Sequence, residues 1–534
     1  MQVMHLRTDI LVIGGGLAGL SAALRANEAG CNVVIAAKGK IGKSGNTIMA
    51  RNSIAAVTES EGQRDLINRH IKDTLAGGAF LNEKKLVKVL AENAKEAVNW
   101  LSGRGVPFLQ DNGNYIVKGS PGHTEERVLT VDSHTVRSRK TPGLAITLSL
   151  LQEAREKGVE MLDNVLITSL IKKGEKITGA CALDRSEERA LIIEAKGVIL
   201  ACGGAGALYP FTTNTADVTG DGFALAYEAG AGLRDLEFIQ FHPCVTLGSP
   251  RLVLSTAPFS DGAVLKNRYG EEYMYKYSPR GNMATRDVMA RAGYTEIKQG
   301  RGTENNGVYL DFSGVGRDVM DLKYKDIKDY LKGENVIEVA PAAHFTMGGV
   351  IIDERCRTGI PGLYACGEAA GGVHGANRLA ANALTEAVVF GLRAGESAAL
   401  ESKNMPAAKG LESKDLKMLE GEIGCEGFAD RGHAVLSDSH NHYSGVKKKL
   451  RQLMGEYVSV VREKKGLKKA LTELIRMYRQ IDVNKPQSYR CLIDYHQTRM
   501  MLISAFLITE GALKREASIG AHYRSDSPCI SPHR

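Results

Sequence analysis

The chain has 534 residues, 43% of them hydrophobic, with 69 basic and 61 acidic side chains and a formal net charge of +8. That length predicts two to four domains around a large core, and the near-balanced charge, lysine-rich only in the C-terminal third, gives no footprint for nucleic acid. No apolar run reaches a membrane span of roughly 20 residues, no basic leader precedes a cleavage site, and the 9 cysteines hold no Cys-x-x-Cys pair, so a cytoplasmic protein without its own metal centre or direct membrane insertion is expected.

TDILVI, residues 8–13, reads as a short strand, LSAALRANEAG has helical apolar spacing, and CNVVIAA supplies a second strand, making a βαβ unit. Between the first strand and the helix, Gly14, Gly16 and Gly19 fit Gly-x-Gly-x-x-Gly. In that pattern one glycine turns the chain, one admits a pyrophosphate to the helix N-terminus, and one lets helix lie on strand. A ribose-binding acid at the end of the second strand is missing, because VVIAAKGK places Ala37 and Lys38 there. This disfavours NAD more than FAD.

Two further buried strands are predicted in AKGVILACGGAG and GLYACGEAAGG, each running into glycine as strands do when their carboxyl ends face a ligand. Residues 237–343, of mixed polarity with their own tyrosines and arginines, read as an inserted domain. In HGANRLAANALTE a helix is expected to open with Asn382 as N-cap, so that the N–H groups near Ala383 and Leu384 form a positive pole. An isoalloxazine gains negative charge at N1 and O2 on reduction, so such a pole favours hydride acceptance. After Leu400 the glycines thin out, and GVKKKLRQLMGEYVSVVREKKGLKKALTELIRMYRQ reads as amphipathic helices of a separate domain.

Taken together, GGGLAG, ACGGAGALYPFTTNTADVTGDGFALAYEAGA, LEFIQFHP, PAAHFTMGGV, GLYACGEAAGGVHGANRL and REASIGAHYRSD resemble, in order and nearly end to end, the flavoprotein subunit of the succinate dehydrogenase and fumarate reductase family, which includes L-aspartate oxidase. The resemblance implies an α/β fold: an FAD-binding, Rossmann-like domain of glutathione-reductase type (1–236 and 344–400), an α+β capping domain (237–343), and a C-terminal helical domain and tail (401–534). It implies that Glu368 and Asp221 contact FAD. Gly14, Gly16, Leu17, Ala18, Gly19 and Lys38 line the same cofactor, as do Ser44, Asn46, Thr47, Val165 and Gly203, with Arg378, Ala383 and Leu384 at the flavin end. In the substrate pocket it implies His242, His344 and Arg378 as carboxylate binders, Ser255 as a hydroxyl donor, and Arg286 as the group that exchanges a proton with the substrate carbon. A guanidinium fork on a close backbone turn suits this task, because it holds a carboxylate bidentately beside the flavin.

The sequence also departs from the family pattern. Asn46, in SGNTIMARNSIAA, stands where respiratory members carry the histidine that bonds FAD, so a noncovalent flavin is expected. In STAPFSDGA, Thr256 and Phe259 replace the glutamate and arginine of the proton relay, leaving water, Asp261 or another route to serve Arg286. Arg51 and Asn52 replace a Gln-Gly pair and suggest either an added cation near the flavin or substrate or a surface ion pair. The leading expectation is hydride transfer between flavin and the CH–CH bond of a small dicarboxylate, succinate/fumarate by default, with electrons exchanged through an iron-sulfur partner. An L-aspartate oxidase-like enzyme is the alternative, followed by an electron-transfer subunit without carbon chemistry.

Overall fold

Val3–Ile13 is the central strand of a seven-stranded sheet in this computed structural model, which describes residues 1–50, 53–58, 63–120, 122–132, 141, 143–248, 251–404, 436–483, 486 and 488–527. The strand starts before the apolar run TDILVI because parallel pairing with Arg189–Leu200 begins at Val3. Arg51 and Asn52 lie outside the described residues.

Across the sheet the order is Glu160–Leu162, Val33–Ala36, Val3–Ile13, Arg189–Leu200, Lys176–Asp184 and Val165–Lys173. The first four run parallel, and the last two form an antiparallel hairpin on the edge. Where Lys176–Asp184 has left its neighbour, Leu363–Ala365 takes over, parallel to Val198–Leu200. Register then does the positioning, since Ile13 lies level with Ala36 and Leu200, and Leu200 with Ala365. The residues that follow these four ends, Gly14–Gly16, Ala37–Lys38, Ala201–Gly204 and Cys366–Glu368, therefore meet along one carboxyl edge.

Sterics hold that edge closed. Gly14 sits at φ +118°, and a Cβ there would lie 2.2 Å from Ala201 O, while one on Gly19 would lie 1.9 Å from Gly14 O. The helices Leu17–Glu28 and Asn382–Lys403 pack backbone to backbone, because Gly391 and Gly395, one turn apart, face Ala18 and Ala22. A small sheet of Ser53–Ala55, Val128–Thr130 and Val117–Lys118 covers the start of Asn382–Lys403. There Ala55 N–H donates to Thr385 Oγ1 at 3.0 Å, and that hydroxyl donates to Ala55 O at 2.9 Å.

A separate four-stranded sheet carries Ile239–Thr246, Val336–Thr346, Val308–Asp311 and Val264–Lys266 in that order, with the helix Arg286–Glu296 against it and its own core of Leu254, Phe259, Tyr273 and Met289. The C-terminal helices Leu436–Tyr457, Lys464–Val483 and Tyr489–Lys514 do not stand apart: Leu450, Met454 and Leu502 share one apolar cluster with Leu208, Phe223 and Phe241. Tyr489–Lys514 escapes a periodicity reading because buried residues occur all round it, as expected of a helix inside a core. Its chain then turns back, and Ala521 N–H donates to Ala376 O at 3.0 Å, tying the tail to the turn that carries Arg378. Among the described residues no helix is long and apolar enough to cross a membrane, and no group of His, Cys, Asp and Glu side chains could hold a metal ion.

Candidate active site

His242 and His344 come from antiparallel neighbours, Ile239–Thr246 and Val336–Thr346. The register skips His344, since Gln240 pairs with Phe345 and Phe241 with Ala343, and this irregularity re-aims the extra residue. As a result the two imidazoles stand edge to face, 5.3 Å between centroids. Cys244 N–H donates to His242 Nδ1 at 3.3 Å, so a neutral His242 carries its proton on Nε2. His344 Nδ1 lies 2.8 Å from Thr213 Oγ1.

Arg378 is 7% exposed and lies 4.6 Å over the Phe345 ring. Its Nη2 donates to Gln240 Oε1 at 2.9 Å, and Gln240 Nε2 returns bonds to Asn377 Oδ1 and Arg378 O, clasping the turn from both sides. Its Nε is buried without a partner. Burial, and next the charge of Arg286, pull the Arg378 pKa down to about 9. Arg286 opens the helix Arg286–Glu296, and burial lowers its pKa as well. Two guanidiniums from segments far apart in sequence are thus near enough for the charge of one to lower the pKa of the other.

The STAPFSDGA loop packs into the core of the four-stranded sheet through Phe259 and Ala263. Ser255 Oγ accepts the Ala257 N–H at 3.1 Å. Thr256 is buried, and Phe259 is part of the apolar core beside the four-stranded sheet. Asp261 is engaged by Lys323 at 3.0 Å and by the Tyr324 hydroxyl, and both lower its pKa.

On the carboxyl edge of the large sheet, no side chain caps the first turn of Leu17–Glu28, although Leu17 N–H donates to Thr47 Oγ1 at 3.1 Å. Gly16 is its N-cap, where a Cβ would stand 3.3 Å from Thr47 Oγ1. Lys38, standing where that acid was missing, pairs at 2.6 Å with Asp221 at the start of Asp221–Ala229. Ser44 Oγ donates to Lys40 O at 2.9 Å, Val165 N–H donates to Ala37 O at 2.8 Å, and Gly203 turns the chain at φ +74°.

Glu368 accepts the Thr346 N–H at 2.9 Å and Asn46 Nδ2 at 3.0 Å. Burial outweighs these bonds and lifts its pKa to about 7. Asn46 Nδ2 also donates to Asn214 Oδ1 at 2.7 Å, and Asn46 Oδ1 is left buried without a partner.

The start of Asn382–Lys403 differs from expectation. Its N-cap is Ala381, held left-handed at φ +65°, and Asn382 is the first helical residue. The Asn382 side chain points back, to His70 Nε2 at 2.9 Å and Thr74 Oγ1 at 3.0 Å. No side chain of its N-cap bonds the helix, and the N–H groups of Ala383 and Leu384 lie in its first turn, where they have no partner within the helix.

These features fit FAD. Glycines at 14 and 16 clear a path to an uncapped helix N-terminus suited to a pyrophosphate, an orphaned amide oxygen at Asn46 awaits a hydroxyl or N–H, and a second uncapped helix suits the electron-rich edge of a flavin. Gln240, Phe345, Thr213 and Asn214 were not singled out from sequence, yet all fall inside the motifs quoted above. Their signal was adjacency to His242 and His344, which becomes readable only once strand register is known.

The family model for the FAD binding domain matches residues 9–384, and that for the fumarate reductase flavoprotein C-terminus matches residues 447–531. A fumarate reductase (CoM/CoB) subunit of Methanothermobacter marburgensis is 38% identical over 539 residues, covering 98% of this chain and 95% of that protein. L-aspartate oxidase of Yersinia pestis is 33% identical over 536 residues, covering 98% and 96%. Among solved structures, the FrdA chain of E. coli quinol fumarate reductase superposes with a TM-score of 0.85 at 27% identity, covering 99% of this chain and 92% of that one.

Proposed function

The chain belongs to the family of succinate dehydrogenase and fumarate reductase flavoproteins, and on that premise we propose that this FAD-dependent oxidoreductase interconverts a small saturated dicarboxylate and its unsaturated partner, succinate and fumarate by default. One observation supports the reading: Arg378 is buried with its Nε unpartnered and feels the charge of Arg286, while His242 and His344 stand edge to face on the two paired strands that also carry its partners Gln240 and Phe345. Burying two like charges is costly unless an anion joins them, and a dianion compensates both.

FAD, when bound, supplies the hydride acceptor or donor. The chain's own residues do the rest. His242 donates through Nε2 and Arg378 through its fork, clamping the carboxylates, while Gln240 and Phe345 hold Arg378 in place. Arg286, its proton affinity lowered by burial, gives or takes the proton on the neighbouring carbon. Asn46 offers an amide to the cofactor and has no ring nitrogen with which to bond it, in keeping with a noncovalent flavin. The roles of the clamp and cofactor residues, the capping assignment of 237–343, and an iron-sulfur protein as electron partner form part of this proposal. The partner is argued from the need to pass electrons on when the described residues contain no metal-binding cluster.

The test is anaerobic. The FAD-loaded protein is reduced with dithionite, and fumarate is added. Reoxidation of the flavin is expected, with the rate falling at least about a hundredfold in Arg286→Gln at unchanged FAD content. Absence of reoxidation at any fumarate concentration would reject the substrate, and ammonia release from L-aspartate would move the chain to the oxidase reading. Equal rates in wild type and Arg286→Gln would reject the proton-transfer role.

A further inference from the structure

A buried polar layer lies directly under the 378–384 turn. His70, Asp73 and Thr74 stand on the helix Gln63–Gly77, and His123 and Arg127 on the segment entering the strand Val128–Thr130. His70 is 0%, Arg127 1% and Asp73 7% exposed, and His123 is half-buried at the edge of this interior layer. Groups of this kind are costly to bury unless they are paired and given work.

Their hydrogen bonds run in one direction. Asp73 Oδ2 accepts from Arg127 Nη1 at 2.7 Å, from Thr124 N–H at 2.9 Å and from the Thr124 hydroxyl at 3.0 Å. Arg127 Nη1 also lies 2.9 Å from His123 Nδ1, and His123 Nε2 lies 2.9 Å from Ala380 O. A guanidinium only donates and a carbonyl only accepts, so the ring proton sits on Nε2 and the lone pair on Nδ1. Ala381 O accepts the Ala55 N–H at 3.3 Å, and Asn382 is held by His70 and Thr74. Three successive residues of the turn are thus each tied down, between Arg378 on one side and the uncapped first helical turn on the other.

We propose that His123, locked as its Nε2–H tautomer by the buried Arg127–Asp73 pair, is a positioning residue that sets how the 378–384 turn presents Arg378 and the Ala383 and Leu384 N–H groups to flavin and substrate. The substrate half rests on the dicarboxylate reading above, and the flavin half does not. Every charged or titratable group facing His123 bears on its protonation. Burial lowers the ring's pKa most, and Arg127 beside it and Arg286 from the capping helix lower it further, while the Ala380 carbonyl and Asp73 pull the other way. His70, 6.4 Å away by ring centroids, is itself kept neutral by burial. Taking a second proton would break the Arg127 bond and set a cation between two guanidiniums. Removing Arg127 removes that obstacle and leaves Asp73 to favour the imidazolium.

The experiment measures the flavin midpoint potential of FAD-loaded variants by dye equilibration, without substrate, across roughly pH 5.5 to 8.5 around the ordinary histidine range. In the wild type no histidine inflection is expected. In Arg127→Gln an added inflection should appear between roughly pH 6 and 8, and it should vanish in the Arg127→Gln/His123→Gln double variant, whose amide still donates to Ala380 O but does not titrate. His123→Phe, which cannot donate, should lower the potential and raise KM for fumarate about tenfold with a smaller change in kcat, whereas His123→Gln should stay near wild type. An Arg127→Gln profile like the wild type together with an unmoved potential in His123→Phe would overturn the proposal. Should Arg127→Gln fail to fold or load FAD, the contrast between His123→Phe and His123→Gln decides alone. A protein that ignores fumarate yet shows the potential shifts keeps the positioning role and loses only the substrate.

Discussion

At the scale of single residues, the site holds charge where the interior resists it. Glu368 shows this most directly, because burial lifts its pKa from 4.5 to about 7. Between those values the folded chain keeps a proton that the unfolded chain has released, so stability falls as pH rises from 4.5 towards 7 and the loss is complete above that. Glu368→Gln carries no such proton. Measured as unfolding midpoints of the FAD-free proteins at roughly pH 5 and pH 8, on either side of that shifted value, the variant is expected to gain on the wild type at the higher pH, and a gap independent of pH would contradict this. His70 and His522 work oppositely: both are buried neutral, with pKa values of about 4 and about 3, and cost stability as pH falls below 6.5. Comparison with the variant, not the absolute curve, therefore isolates Glu368. The clamp residues were legible from motif context, but Gln240 and Phe345, which orient Arg378, gain meaning only from strand pairing.

At the scale of elements, the first glycine turn was legible and the second half so. Gly14 and Gly19 do what their spacing predicts, because a Cβ on either would strike backbone, whereas a Cβ on Gly16 would meet only the Thr47 hydroxyl. Asn382 suits an N-cap by its intrinsic preference, whereas tertiary partners at His70 and Thr74 claim its side chain and leave Ala381 to take the left-handed cap. A non-glycine residue there costs about 1–2 kcal/mol. Ala381→Gly is accordingly expected to raise the denaturation midpoint by the equivalent of about 0.5–1 kcal/mol after the entropy of glycine is counted, as read by urea unfolding. Gly391→Ala should do the reverse by about 1–3 kcal/mol, since the added carbon meets Ala18 O at 2.6 Å. The hairpin Val165–Lys173 and Lys176–Asp184 and the helix Tyr489–Lys514 were not read from sequence. The helix is enclosed on all sides, so its residues show no polar face to betray a period.

At the scale of the whole molecule, the proposed cofactor contacts come from residues 14–19, 38–47, 165, 203, 221, 368, 378 and 383–384, so FAD would tie together segments that the chain keeps far apart. Saturation with FAD at about 100 times Kd should stabilise the fold by about 2.7 kcal/mol, seen as a melting temperature that climbs with FAD concentration. A melting temperature indifferent to FAD would contradict the cradle.

What the sequence determined alone was local and ordered: a glycine fingerprint between a strand and a helix, a run of motifs in family order, and the loss of the relay acid and arginine. Those are properties of neighbours along the chain, governed by backbone sterics and side-chain chemistry. The convergence of four strand ends on one edge, the register irregularity that turns His344 towards His242, the commitment of Asp261 to Lys323 and Tyr324, and the buried layer of His70, Asp73, His123 and Arg127 beneath the active turn were decided by tertiary structure. Burial and pairing are non-local: whether a charged group is solvated, matched or left to bind a ligand depends on which distant segment packs against it.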